Sequence, residues 1–462
     1  MTLIDRSRLP TPGPEPAFRF PVVRRRTLSS GLQVRTVEHR GVPVVSFLLL
    51  LSSGAAADPA PLPGLAALTA DMLDEGSGSM SALDIEDALS SLGAQFETEV
   101  GSDATVLSLL TLPRFVDQAL GLLADIAARP RLAAEDFDRV RELRLNRLRQ
   151  LRDLAPAVAD LVFARLLYAA HPYGRLPIGT MRGLEGTSAA DVKAFHADAW
   201  RPSQVTIVAV GDASHDELFG AVERAFAWWA DPAPGTGSAS RAHAEAAAMP
   251  APAQPTAPLA LVDRPGAAQS ELRIGQVAVA RQTPDYYALL VLNTILGGQF
   301  VSRLNMNLRE DKGYTYGVRS GFEFRRSPGP FSVQAAVQTA VTADAVREVL
   351  SELSAIRGAR PATPAELELA KSALTKGYAR SFETAGQIGR GLAQLALYGL
   401  PDDTLERFVP SIHEVDIAAV TAAAERLDLS RMTVTVVGDR EKIEPGLAGL
   451  GLGTPAVLGI DD

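Results

Sequence analysis

Apolar and polar positions along the chain switch between two periods. Short β-branched or leucine-rich runs read as strands: VVSFLLLL from Val44, TIVAVGDAS at 206–214, ELRIGQVAVA from Glu271 and TVTVVGDRE at 433–441. Between them apolar residues recur every three or four positions and read as helices: LPGLAALTADMLDEG at 62–76, RVRELRLNRLRQLR at 139–152 and TPDYYALLVLNTILGG at 283–298. In the second of these, Val140, Leu143, Leu148, Leu151 and Leu154 form the expected buried stripe, with six arginines on the other faces. Val301, Leu304 and Leu308 predict a helix over 301–309 that ends at Arg309. A strand follows from about Tyr314, in which Tyr316, Val318, Phe322 and Phe324 share one parity.

The elements repeat. The offset of 227 residues from Asp212 to Asp439, the ends of the two Val-Gly-Asp strands, also carries Val44 onto Glu271, inside another strand run. Each early strand is followed by a proline-started helix, then a turn and strand, further helices and the closing strand. This order predicts an α+β fold of two homologous tandem domains, each a mostly antiparallel sheet with helices packed on it. The segment 231–258, with six prolines in an Ala/Gly/Ser background, reads as the linker. It divides the chain into 1–230 and 259–462.

At 47% hydrophobic and 21% charged, the 462 residues can bury sizeable cores. A net charge of −9 and an isoelectric point near 5.4 exclude the usual nucleic-acid binder. The longest apolar run, VPVVSFLLLLSSG, is too short to span a bilayer. Residues 1–22 are rich in Pro and Arg and show no signal peptide, so a soluble, cytoplasmic protein is expected, with a periplasmic one open. With no cysteine, disulfides, thiolate zinc sites and cysteine nucleophiles are excluded. The six histidines, His39, His171, His196, His215, His243 and His413, give no local His-x-x-x-His site.

Four stretches remain for chemistry. Asp71, Asp74 and Glu75 fall on one face of the 62–76 helix, where they bind a hard cation or are simply solvated. The arginines of 139–152 are a solvated face or a wall that attracts acidic groups. Gly297-Gly298-Gln299 reads as a helix-ending glycine pair. In NLREDKGYTYGVRSG, 307–321, Arg309 and Tyr316 are either a helix-end cation and a half-buried ring or a pair placed to hold a ligand.

Over about residues 24–442 the sequence resembles the pitrilysin/insulinase-type zinc peptidases, the inverzincins, and within them the bacterial branch and the subunits of mitochondrial processing peptidase. The resemblance rests on RTLSSGLQVRTVEHRGVPVVS, PGLAALTADMLDEG, HPYGRLPIGT, LNTILGGQFVSRLNMNLREDKGYTYGV and the two closing strands, in order. It implies two similar α+β domains and a zinc motif H-x-x-E-H on the first long helix, with a further glutamate ligand downstream. Here the motif positions are Ala67, Ala70 and Asp71, and the downstream stretch LNRLRQ holds no acid but has Arg147 and Arg149. No zinc or other cofactor is therefore expected in this chain. The resemblance also implies an arginine, and a tyrosine seven residues later, that reach the substrate; Arg309 and Tyr316 match them. The implied function is that of a non-zinc subunit of a heterodimeric metalloendopeptidase, inactive alone. It would contribute Arg309 and Tyr316 to bind peptide substrate and stabilise the transition state at the zinc of a homologous partner subunit, in a clamshell. The alternative is a non-catalytic structural or peptide-binding scaffold subunit.

Overall fold

The computed structural model describes residues 18–231 and 258–459, so the expected linker falls almost wholly outside the described residues. Two six-stranded sheets organise the molecule. The first contains β1 (Arg24–Thr27), β2 (Gln33–Glu38), β3 (Val45–Leu51), β4 (Gln95–Val100), β5 (Thr105–Thr111) and β6 (Val205–Gly211), in the spatial order β1-β2-β6-β3-β5-β4. The second contains β7 (Leu259–Asp263), β8 (Gln269–Val277), β9 (Thr315–Phe322), β10 (Pro330–Gln338), β11 (Thr433–Gly438) and β12 (Ala456–Leu458), in the order β9-β10-β8-β11-β7-β12.

Five strands of each sheet follow one plan. The pairs β2/β6 and β7/β11 are parallel, and the remaining pairs within each five-strand set are antiparallel. The duplicated order of the sequence is thus a duplicated topology, mostly antiparallel with helices on the sheets. β9, which carries Tyr316, occupies the edge position that β4 takes in the first half.

The helices that bear on the site are α1 (Leu65–Asp71), α2 (Val116–Ala128), α3 (Ala134–Arg152), α4 (Ala155–Tyr168), α5 (His215–Phe226), α6 (Tyr286–Leu296), α7 (Thr342–Ala355) and α8 (Ala385–Leu397). β3 shows why its sequence is apolar without interruption. Phe47, Leu49 and Leu51 pack with Leu120 and Leu123 of α2 and Leu218 and Val222 of α5. Leu48 and Leu50, of the other parity, pack with Ile388 and Leu392 of α8. A strand buried on both faces has no polar face to alternate with. Each fully buried aliphatic side chain here contributes about 1.5–3 kcal/mol.

The two halves exchange helices. α8, from the second half, lies on the first sheet, so closely that a Cβ at Gly389 would stand 2.6 Å from Leu48 Cδ1. α4, from the first half, returns the arrangement: Val158, Ala159 and Val162 pack with Val262 and Val437 of the second sheet. The tip of the β9–β10 hairpin adds a polar clasp. Arg326 N–H donates to Asp103 Oδ2 (2.8 Å), Ser327 N–H donates to the Tyr173 hydroxyl (3.0 Å), and that hydroxyl donates to Asp103 Oδ1 (2.7 Å). No helix among the described residues is long and apolar enough to cross a membrane.

Candidate functional site

α1 starts abruptly after Gly64, which holds φ 102°, in the left-handed region open to glycine. In place of a side-chain cap from Gly64, the buried Asp58 carboxylate accepts from Gly64 N (2.6 Å) and Ala66 N (2.7 Å). Burial pushes Asp58 up to about 6, against the pull of these two N–H groups. Ala67 and Ala70 are buried and offer no donor atom to a metal. Asp71, the last helical residue, is ion-paired with Arg144 of α3, whose Nη2 also donates to Pro177 O at 2.6 Å.

This arrangement corrects three expectations. The buried stripe of α3 is Phe137, Val140, Leu145 and Leu148, whereas Leu143 is 58% exposed and Leu154 53%. Arg144 lies within that stripe, one turn from both Val140 and Leu148, with a side chain only 9% exposed. Second, α1 ends at Asp71, so Asp74 and Glu75 sit in the turn beyond it and the three carboxylates share no helix face. Glu75 is ion-paired with Arg139, while Asp74 is pushed up to about 6, chiefly by burial and then by Glu75 and Asp71. Third, the cation that meets the degenerate motif is Arg144 rather than Arg147 or Arg149; Arg149 instead bonds Asn146 (2.6 Å) and Glu142 (2.8 Å). The 140-144-148 spacing was the signal that could have found it. Among the described residues no group of three or more His, Cys, Asp or Glu side chains could hold a metal ion. The residues do not fit zinc: two positions carry no ligand and the third is neutralised by a guanidinium.

The second constellation lies in the other half. The helix expected over 301–309 is instead a π-helix, Asn305–Asp311, preceded by a short α-turn. Leu304 and Leu308 are buried as expected, but Val301 is 49% exposed. Lys312 N–H closes onto Asn307 O (3.1 Å), and Gly313, at φ 64°, ends the element. Asn307 ties it to α7 through Glu348 (3.0 Å) and Glu352 (2.8 Å). Such widened turns are rare and occur often at functional sites.

β9 is also irregular. Its register against β10 slips between Thr315 and Val318, so Tyr316 and Gly317 form a bulge. The parity expected for Tyr316 and Val318 is therefore broken: Val318 is in the core at 1% exposure, and Tyr316 is 93% exposed. Asn305 joins the two irregularities. Its Oδ1 accepts from Val318 N (2.9 Å) and its Nδ2 donates to Val318 O (2.8 Å). The glycine pair works as read: a Cβ at Gly297, just after α6, would stand 2.5 Å from Ser320 Oγ, so only glycine lets the helix end meet β9.

Arg309 lies in the last turn of the π-helix. Its guanidinium stands 4.0 Å over the Phe300 ring, and Nη1 is 3.1 Å from the Glu310 carboxylate without a directed hydrogen bond. Phe300 in turn lines one open groove with Tyr316, Asn305, Arg319, Gln334 and Arg273, about 820 Å³ in volume. Tyr316 is thus in the lining of the groove, whereas Arg309 is not and meets it only through Phe300. The Tyr316 hydroxyl meets no partner among the described residues. Arrayed as they are, a guanidinium and a phenol can donate hydrogen bonds to a carbonyl oxygen but cannot hydrolyse one unaided.

Comparison with known proteins gives consistent matches. The model for "Insulinase (Peptidase family M16)" matches residues 34–180, and the model for "Peptidase M16 inactive domain" matches residues 187–374. The chain is 28% identical over 433 residues to an uncharacterized zinc protease of Mycobacterium leprae, covering 91% of this chain and 93% of that protein. It is 25% identical over 207 residues to a probable mitochondrial-processing peptidase subunit beta of Schizosaccharomyces pombe, covering 45% of each. Among solved structures, a peptidase M16 inactive domain from Pseudomonas fluorescens superposes with a TM-score of 0.82 at 28% identity, over 90% of this chain and 98% of that one. A protease from Helicobacter pylori superposes equally well, 0.82 at 19% identity, which shows the shared fold.

Proposed function

The chain belongs to the insulinase family of peptidases, M16, and from that premise we propose that it is the zinc-free subunit of a two-chain metallopeptidase. It is a family member whose own motif positions lack the ligands for catalysis. In the proposed enzyme a homologous partner supplies the zinc and the water-activating glutamate, and this chain supplies Arg309 and Tyr316. The division into halves at 1–230 and 259–462, joined by 231–258, is part of the same proposal.

The observation that carries the reading is Tyr316. A tyrosine 93% exposed on a bulge has no packing reason to be there, and its hydroxyl is free to bond a ligand. Its proposed role is to donate to the oxygen of the scissile carbonyl as negative charge develops. Arg309, held against Phe300 and only partly neutralised by Glu310, keeps donors for a neighbouring peptide carbonyl.

The test is to purify this chain and a zinc-bearing homologue from the same source, then assay them apart and mixed against a quenched fluorescent peptide. The proposal expects cleavage only in the mixture and a co-eluting complex. Two separate peaks with no gain in activity would overturn it. A complex with full activity after Tyr316→Phe and Arg309→Ala together would support the scaffold alternative.

A further inference from the structure

α4 covers β8 and β11 of the second sheet but leaves the outer face of β9 and β10 open, and the groove occupies that open face. Its chemistry is uneven. Two exposed aromatic rings line it, Phe300 at 65% and Tyr316 at 93%. With them is a row of polar side chains set by the ladder, Arg319 opposite Gln334 and Gln334 opposite Arg273. Arg273 is already satisfied. It is 5% exposed and bonds Asp160 of α4 (2.6 Å) and Glu271 (3.2 Å), so the one carboxylate lining the groove among the described residues is spent on it. Arg319 differs: it is exposed, on the groove side because Val318 faces the core, and its side chain makes no hydrogen bond or ion pair among the described residues. Gln334, directly across the ladder, is exposed beside it.

The middle of the β9 edge is already occupied. Asn305 holds both backbone groups of Val318, and Gly297 O accepts from Ser320 N (3.2 Å). At that stretch a ligand meets the side chains on the face of the sheet rather than a free strand edge.

We infer that this groove selects extended peptides carrying a carboxylate close to a large apolar side chain, the carboxylate bound by Arg319 with Gln334 and the apolar group lodged between Phe300 and Tyr316. Charge complementarity identifies the occupant: the unpaired group in the groove is a cation, and its planar fork fits a carboxylate with two parallel hydrogen bonds. The inference rests on the proposed peptide site and adds its substrate class.

The experiment is fluorescence anisotropy of the purified full chain with three labelled decapeptides. They are identical except at one position, Glu, Gln or Lys, two residues from a single Phe. The Glu peptide should bind about ten-fold more tightly than the Gln peptide at low salt, with the gap shrinking as salt rises. Arg319→Ala should remove the gap, and Arg319→Glu should turn the preference to Lys. Phe300→Ala should weaken all three alike. Equal binding of the three peptides, binding of none, or an Arg319→Ala chain that still prefers Glu would overturn the inference. So would a change of self-association in Arg319→Glu at sedimentation equilibrium without a change in peptide binding, since the face would then be an interface between copies. Binding by the lone chain separates this from the proposed function. An acidic preference without activity in any mixture would defeat the two-chain enzyme and leave the groove assignment, and activity without the preference would do the reverse.

Discussion

Asn305 holds Val318 by both of its backbone polar groups, at 2.9 and 2.8 Å, and so fixes a π-helix to a β-bulge. The side chain imitates a neighbouring strand at one residue. It ties the turn that carries Arg309 to the strand that carries Tyr316. Asn305→Ala leaves a buried N–H and C=O without partners, which costs about 1–3 kcal/mol for each group. The melting temperature should fall, and activity of the assembled enzyme should fall further than Tm alone explains. Equal activity per folded molecule would show that the coupling does not serve the site.

Tyr316→Phe should be silent in the fold and severe in function. The ring is 93% exposed and makes no ring contact among the described residues, so thermal melting should not move. Loss of one donor to a developing oxyanion lowers kcat on the order of 10²–10³, about 3–4 kcal/mol. The comparison is kcat/KM of wild-type and variant complexes at matched zinc content. A change of less than about three-fold would remove Tyr316 from the chemistry.

Arg144 should be as important to the lost metal site as the missing histidines. Restoring the motif with Ala67→His, Ala70→Glu and Asp71→His together leaves a buried cation against the site. That triple variant should retain no stoichiometric zinc after dialysis. Adding Arg144→Glu should raise the content to about one equivalent by elemental analysis, since three protein ligands then converge. One tightly held zinc in the triple variant would show that Arg144 does not face the site.

Asp74 gives a pH signature. Burial and the neighbouring carboxylates hold its folded-state value up at about 6, against an ordinary 3.8. A raised carboxyl binds its proton more tightly when folded, so its contribution to stability is greatest below about 4 and is lost as pH rises to about 6. Asp74→Asn removes the ionisation. Its Tm should exceed that of wild type at pH 8, with the difference closing as pH falls from about 6 to about 4. A difference independent of pH would assign the effect to packing instead.

Much of the fold was legible because both sheets have buried strands and the chain repeats their order. VVSFLLLL and the two Val-Gly-Asp strands carried that signal by themselves. The phase of α3 was not legible, because leucines stand on more than one of its faces and Arg144 occupies the buried stripe; an ion pair to Asp71, 73 residues away, decides the matter. The bulge at Tyr316 was hidden for a similar reason. Strand parity assumes a regular ladder, and the slip arises from Asn305 and Gly297, which belong to the preceding segments. The Arg309–Tyr316 spacing itself was plain in the sequence, but its groove required the placement of Phe300, Arg319 and Gln334 from three separate segments.

The central claim is that this chain completes an active site whose metal lies in another subunit. The most direct measurement is a mixing titration. A fixed amount of a zinc-bearing homologue, dialysed and assayed for zinc, is titrated with this chain while peptide cleavage is followed. Activity should rise from near background and saturate at one chain per zinc-bearing subunit, with Tyr316→Phe saturating at the same ratio but on the order of 10²–10³ lower, as for loss of one oxyanion donor. Full activity of the homologue before any of this chain is added, with no rise on titration, would contradict it.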